Sequence, residues 1–118
     1  MAKHLQLGRD GETKAQAFLR ALGYRFIASN WRYKRLEIDL VFKDKEVLVF
    51  VEVKARRSAA YGEPQEFVDI AKQRRLIRAA SAFISAFRHQ GEIRFDIVAV
   101  YMGQSEQIVH LKDAFWNS

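Results

Sequence analysis

The chain contains no cysteine. Disulfides and thiolate zinc sites are therefore excluded, and a reducing compartment fits. Proline occurs once, at Pro64, and the six glycines mark element boundaries; there is no linker, internal repeat or low-complexity tract. Apolar runs such as Val47 to Val51 fall far short of the ~18 residues a membrane helix needs. Met1 to Glu12 has no apolar stretch and does not read as a signal peptide. His4, His89 and His110 lack zinc-ligand spacing. A Gly-x-Ser-x-Gly elbow, a Walker loop and a Rossmann glycine fingerprint are all missing. Acid is the scarcer charge: fourteen Asp and Glu stand against twenty Lys and Arg, for a net +6 and a pI near 9.8. Such an excess favours polyanions, namely nucleic acid, an anionic membrane surface or an acidic protein.

What remains is enough for one packed domain. The 118 residues are 49% hydrophobic, and a single domain over 1–118 is expected. Leu7 to Leu22 reads as a helix with Ala15, Phe18, Leu19 and Leu22 in an apolar stripe and Gly23 as its cap. Tyr24 to Arg32 and Leu36 to Phe42 read as strands, with Lys43, Asp44 and Lys45 in the turn that follows. Glu46 to Val53 is a third strand, whose near-continuous apolar content suggests a central position covered on both faces. The short turn joining the second and third predicts an antiparallel hairpin. After a loop at Ala55 to Pro64, a helix spans roughly Glu66 to Phe87. Its stripe is Leu76, Ile77, Ala80, Phe83, Ile84 and Phe87, and its outer face carries Arg74, Arg75 and Arg78. Strands at Ile93 to Met102 and Gln107 to Leu111 complete the order αβββαββ. The predicted fold class is α/β, a mixed β-sheet flanked by helices.

The chemistry lies where charge enters strands. Asp39 interrupts an apolar strand, with Glu37 on the same face by alternation. Glu52 and Lys54 share a face at the end of the most hydrophobic strand. Unpaired buried charge is costly, so such residues need partners. If the hairpin sets Asp39 beside Glu52, two carboxylates converge with an ammonium nearby. A divalent cation relieves their repulsion, and Mg²⁺ suits hard oxygen ligands completed by water and phosphate. Lys54 could then hold an attacking water or steady phosphate charge. The plain alternative is an ion-paired strand end. Glu12 sits at the edge of the first helix's stripe and can point over the sheet, or be an ordinary first-turn glutamate. Lys72, one turn before Leu76, can meet a phosphate or merely cover apolar surface with its stem. Arg56, Arg57 and Tyr61 follow the site in a loop suited to phosphate contact and base stacking, or to solvent. Asp96 reads as structural, paired with Arg94 or a neighbouring strand. Trp31 and Trp116 read as packing residues.

The runs Gly8-Arg9-Asp10-Gly11-Glu12, Gly23-Tyr24, Asn30-Trp31-Arg32, Glu37-Ile38-Asp39-Leu40 and Phe50-Val51-Glu52-Val53-Lys54, with Arg56, Gly62, Lys72, Arg94-Phe95-Asp96 and Ala114-Phe115, resemble the YraN family of bacterial proteins. That family is regarded as part of the PD-(D/E)XK nuclease superfamily, similar in fold to restriction endonucleases and archaeal-type Holliday-junction resolvases. The resemblance implies a restriction-endonuclease-like domain with Asp39, Glu52 and Lys54 as the core triad and Glu12 as the helix-borne acid. Asp39, Glu52 and Val53 are the expected metal ligands, Mg²⁺ or Mn²⁺ the expected cofactor, and phosphodiester hydrolysis the expected chemistry. Arg56, Arg57, Tyr61 and Lys72 are the expected nucleic-acid contacts. Leu36 stands where the family usually has glycine, and Ala55 where it usually has threonine. The leading expectation is a cytoplasmic, Mg²⁺-dependent endonuclease acting on DNA, branched DNA included, with no membrane partner and self-association into a homodimer left open. The alternatives are a nucleic-acid-binding module of the same fold that does not cut, and a basic scaffold for an acidic protein.

Overall fold

The computed structural model describes residues 3–57, 68–103 and 106–115, with side chains from residue 6 onward. The element order is α1 (Lys3–Ala21), β1 (Arg25–Tyr33), β2 (Leu36–Asp44), β3 (Val47–Arg56), α2 (Ile70–Phe87), β4 (Ile93–Tyr101) and β5 (Gln107–Leu111). This is the expected αβββαββ order. Among the described residues, no helix is long and apolar enough to cross a membrane.

The five strands form one mixed sheet in the order β1-β2-β3-β4-β5. Two tight turns set the first three antiparallel. Tyr33 pairs with Leu36 and Asp44 with Val47, so each turn has only two central residues, and Lys34 and Lys45 open them in the left-handed region at φ 57°. The second turn is thus Lys45-Glu46 rather than Lys43 to Lys45: Asp44 still belongs to β2, because the ladder holds to the turn itself. Leu36, the residue in place of the family's usual glycine, begins β2 after the turn. The positive φ falls on Lys34 instead, so no glycine is required at 36.

The connection from β3 through α2 returns β4 parallel to β3, and β5 closes antiparallel on β4. β3 is therefore central, as its apolar run predicts. Two cores follow from alternation. Under α2 lie Ile38, Val41, Leu48, Phe50, Phe95 and Ile97 against Leu76, Ala79, Ala80 and Phe83. Under α1 lie Leu40, Phe42, Val49, Val51 and Val98 against Ala15 and Leu19. Leu22 and Phe87, expected in the helix stripes, are more than half exposed. Each lies at its helix's C-terminal end; Leu22 falls past α1, where its N–H bonds back to Phe18.

α2 begins at Ile70, later than the expected Glu66. The reason is a cap: the Asp69 side chain accepts the Lys72 N–H at 2.8 Å, with Asp69 itself extended. Trp31 packs edge-on to Phe83 and stacks on Tyr33, a packing residue as expected. Trp116 lies outside the described residues.

Asp96 is fully buried and structural. Arg94 Nε reaches its Oδ1 at 2.8 Å, His110 Nε2 lies 2.7 Å from Oδ2, and the Asp113 N–H donates at 3.0 Å. Burial alone would raise this carboxyl, but the bonds to His110, Arg94 and Asp113 together hold it below the ordinary range. Arg94 also bonds Asp44 and Tyr24, tying β4 to the β2–β3 turn and to the start of β1.

Candidate functional site

Carboxylates gather where β2 and β3 part. Their ladder runs from Asp44↔Val47 to Leu40↔Val51 and stops. β3 continues to Arg56, paired through that stretch with β4. One residue past the last pair, the Asp39 Oδ2 accepts the Val53 N–H at 2.9 Å, so a side chain continues the ladder and fixes the carboxylate beside Glu52.

Alternation fails at this point. Ile38 belongs to the core under α2, yet Leu40 belongs to the core under α1. Residues two apart in a regular strand would share a face. The regular alternation behind the expected shared face of Glu37 and Asp39 is therefore interrupted between Ile38 and Leu40. In β1, the register Ser29↔Leu40 and Trp31↔Ile38 sets Asn30 opposite Asp39, and Asn30 is left-handed at φ 50°. Asparagine is among the few residues that adopt this conformation readily. The break turns Asp39 out of the regular pleat and toward the fork.

Both helices contribute. α1 approaches β3 closely at Gly11, where an added Cβ would lie 2.6 Å from the Ala55 Cβ. That contact accounts for two small residues meeting, and it carries the next residue, Glu12, to the site. Glu12 Oε1 is buried and has no hydrogen-bond partner among the described residues. Burial first, then the charges of Glu37 and Glu52, raise the Glu12 carboxyl above its ordinary value, against a lowering contribution from the Asn30 side chain. From the other face of the sheet α2 supplies Lys72, whose Nζ lies 3.2 Å from Glu52 Oε1; Lys54 Nζ lies 3.3 Å from the same oxygen. Glu52 is 3% exposed, so its charge rests on these two ammonium groups.

Among the described acids, Asp39 is the most perturbed. Burial, then the Glu52 charge, push its carboxyl up from 3.8 to about 8, with Glu12 adding to the rise. The Val53 N–H and Lys72 oppose them and do not prevail. An ion-paired strand end accounts for Glu52, but not for Asp39 and Glu12, whose carboxyls stay crowded.

The expected residues Glu12, Asp39, Glu52, Lys54 and Lys72 thus come together, and Val53 is held between them by its N–H. Arg56 ends β3; its Nη1 donates to the Ala55 carbonyl at 2.9 Å. Arg57 is exposed and borders a groove with Gln6, Leu7, Asp10 and Met102. Tyr61 lies outside the described residues. Sequence reasoning missed Asn30 and Gly11 as positioning residues. An asparagine inside a strand and a glycine directly before the helix acid were the signals for them.

The close approach at Gly11 gives a paired expectation. Gly11→Val is expected to lower stability by about 1–3 kcal/mol through overpacking against Ala55. Gly8 has nothing within 4 Å of an added Cβ, so Gly8→Ala should raise stability by about 0.5–1 kcal/mol through helix propensity alone. Urea denaturation midpoints measure both.

A family model described as "Uncharacterised protein family UPF0102" matches residues 11–100. The chain is 41% identical to a UPF0102 protein of Flavobacterium psychrophilum, with 99% of each chain covered. It is 42% identical to a UPF0102 protein of Rhodococcus opacus, covering 98% of this chain and all of the relative. A UPF0102 protein of Chlorobium chlorochromatii is 41% identical over 94% of this chain and 92% of its own.

Proposed function

This chain belongs to the UPF0102 family, the YraN family, and from that membership and the geometry of the β2–β3 fork we propose that it is a cytoplasmic, Mg²⁺-dependent endonuclease that hydrolyses phosphodiester bonds in DNA. The observation that carries this reading is the crowding of Asp39 and Glu52 with Glu12, whose buried Oε1 has no hydrogen-bond partner among the described residues.

The donor set fits a hard divalent cation. Asp39 uses Oδ2 on the Val53 N–H, and Glu52 meets both lysines at Oε1, so each carboxylate has a second oxygen to offer a cation. Asp39, Glu52 and the main-chain carbonyl of Val53 would hold Mg²⁺ or Mn²⁺, with Glu12 beside them. A cation bound there supplies Lewis acidity toward the scissile phosphate. Lys54 neutralises charge that builds on the phosphoryl oxygens and orients the attacking water. Lys72 pairs with Glu52 and aligns it, and Asn30 and Val53 hold the acids in place.

Among the described residues, no three acidic or histidine side chains form a ready-made cation cage. That fits a site completed by substrate phosphate and water, as Mg²⁺ sites usually are. It also favours the second reading, a nucleic-acid-binding module of the same fold that does not cut.

Calorimetry tests the metal assignment. Mg²⁺ is expected to bind weakly to the free protein and more tightly when a phosphorothioate duplex that resists cleavage is present. An Asp39→Ala, Glu52→Ala double variant should lose the tighter binding. Identical titrations of the variant and the wild type would refute the assignment.

A further inference from the structure

α2 holds Lys72, Arg74, Arg75 and Arg78 and no acidic residue in its 18 positions. Ala71, Arg74, Arg75 and Arg78 follow the i, i+3, i+4, i+7 pattern, so they line one face of the helix. That face is outward: the three arginines are exposed, while Leu76, Ala79, Ala80 and Phe83 are buried against the sheet. With Ala71 and Ile77 they line a groove of about 550 Å³.

Arg75 also borders a narrower cleft of about 130 Å³ with Arg35, Leu36, Glu37 and Lys72. That cleft joins the arginine face to the β1–β2 turn and, through Lys72, to Glu52. Among the described residues, no carboxylate lies within ion-pair distance of Arg35, Arg74, Arg75 or Arg78, whereas Glu37 is paired with Arg32. Four guanidinium groups in a line that ends at the carboxylate cluster suit a repeated anion.

We propose that the outer face of α2, with Arg35 of the β1–β2 turn, is the track on which the phosphate backbone of a nucleic-acid duplex lies as it passes into the Asp39–Glu52 site. The proposal rests on the reading of that site as one acting on nucleic acid. Charge complementarity selects the occupant. Guanidinium groups suit phosphate oxygens, the regular spacing along the helix suits a periodic polyanion, and Lys72 links the track to the cluster. These arginines position the strand without reading its sequence.

The test is fluorescence anisotropy of a labelled duplex with Ca²⁺ in place of Mg²⁺, titrated at several salt concentrations. The variant is the triple Arg74→Gln, Arg75→Gln, Arg78→Gln; glutamine keeps helix propensity close to that of arginine, and far-UV circular dichroism checks the fold. A charge-matched control, Arg25→Gln, Lys45→Gln, Arg88→Gln, removes three cations from the opposite end of the sheet. The triple variant should bind roughly ten- to a hundredfold more weakly, with its salt slope reduced by roughly one unit for every phosphate it no longer neutralises. The control should stay within a few-fold of wild type.

Equal weakening by both triples would overturn the track, as would wild-type affinity and slope in the α2 variant, or a wild-type protein that binds no duplex at low salt. A poly-glutamate peptide that competes as well as the duplex, weight for weight, would overturn the nucleic-acid occupant in favour of an acidic protein. Cleavage is read separately, with Mg²⁺ and saturating protein. Track-dependent binding without any wild-type cleavage supports the track and contradicts the nuclease reading. Wild-type cleavage with unaltered binding by the α2 variant does the reverse.

Discussion

Lys54→Ala is expected to cut DNA at least about a hundredfold more slowly than the wild type while binding it within a few-fold. The reason is the division of labour around Glu52. Two ammonium groups contact the same Glu52 oxygen, Lys54 at 3.3 Å and Lys72 at 3.2 Å. Removing Lys54 leaves Lys72 in place, so the buried carboxylate keeps a counter-charge and the fork keeps its shape. The variant lacks a positive charge at the strand end, beside the expected position of the scissile phosphate. Charge on a phosphoryl group grows in the transition state, so the effect falls on rate more than on affinity. Timed digestion with Mg²⁺ measures the rate, and gel-shift titration with Ca²⁺ measures affinity. Cleavage by Lys54→Ala at the wild-type rate would contradict the assigned role.

In EDTA, the wild-type protein is expected to lose stability steadily between about pH 4 and pH 8, by on the order of a few kcal/mol, and Asp39→Asn to lose much less. The folded Asp39 carboxyl is raised from 3.8 to about 8, first by burial and then by Glu52. Between those values the folded chain holds a proton that the unfolded chain has released. Stability linked to that proton is fully present below the unfolded value and disappears as pH rises through the folded one. Glu12 is shifted in the same direction and adds to the slope. Asparagine carries no proton to lose, so the variant's curve should be flatter and its stability at pH 8 higher than wild type. Adding Mg²⁺ should recover wild-type stability at pH 8 and leave Asp39→Asn nearly unchanged, since a cation replaces the proton as the neutralising charge. Urea midpoints from pH 4 to pH 8.5 measure this. Parallel curves for the two proteins would show that Asp39 holds no extra proton in the folded state.

The fold was largely legible because its signals are local and redundant. Val47 to Val51 reads as a buried central strand, and a turn before it too short for a crossover leaves only a hairpin with β2. Helix ends were less so: periodicity starts α2 near Glu66, whereas the Asp69 cap on the Lys72 N–H starts it at Ile70. In the site, Asp39, Glu52 and Lys54 were visible as charges in apolar strands, while their arrangement was not. The β2–β3 ladder stops at Leu40, next to Asp39 and its β1 neighbour Asn30 with positive φ, and this is not written in a pattern of polar and apolar residues. The Val53–Asp39 bond follows from that stopping point. Lys72 lies in a different segment from Glu52, and their pairing became visible only once α2 was docked on the sheet.

Hydrolysis of phosphodiester bonds at the Asp39–Glu52 fork with a divalent cation is most directly tested by incubating the purified protein with labelled DNA. The substrates are duplex, single-stranded and four-way-junction forms, in Mg²⁺, Mn²⁺ or EDTA, beside an Asp39→Ala control purified identically. Cleavage of at least one DNA form in Mg²⁺ or Mn²⁺, absent in EDTA and absent from Asp39→Ala, is the predicted result. Cleavage that persists in EDTA or in Asp39→Ala, or salt-sensitive binding of all three DNA forms with no cleavage in either metal, would contradict it.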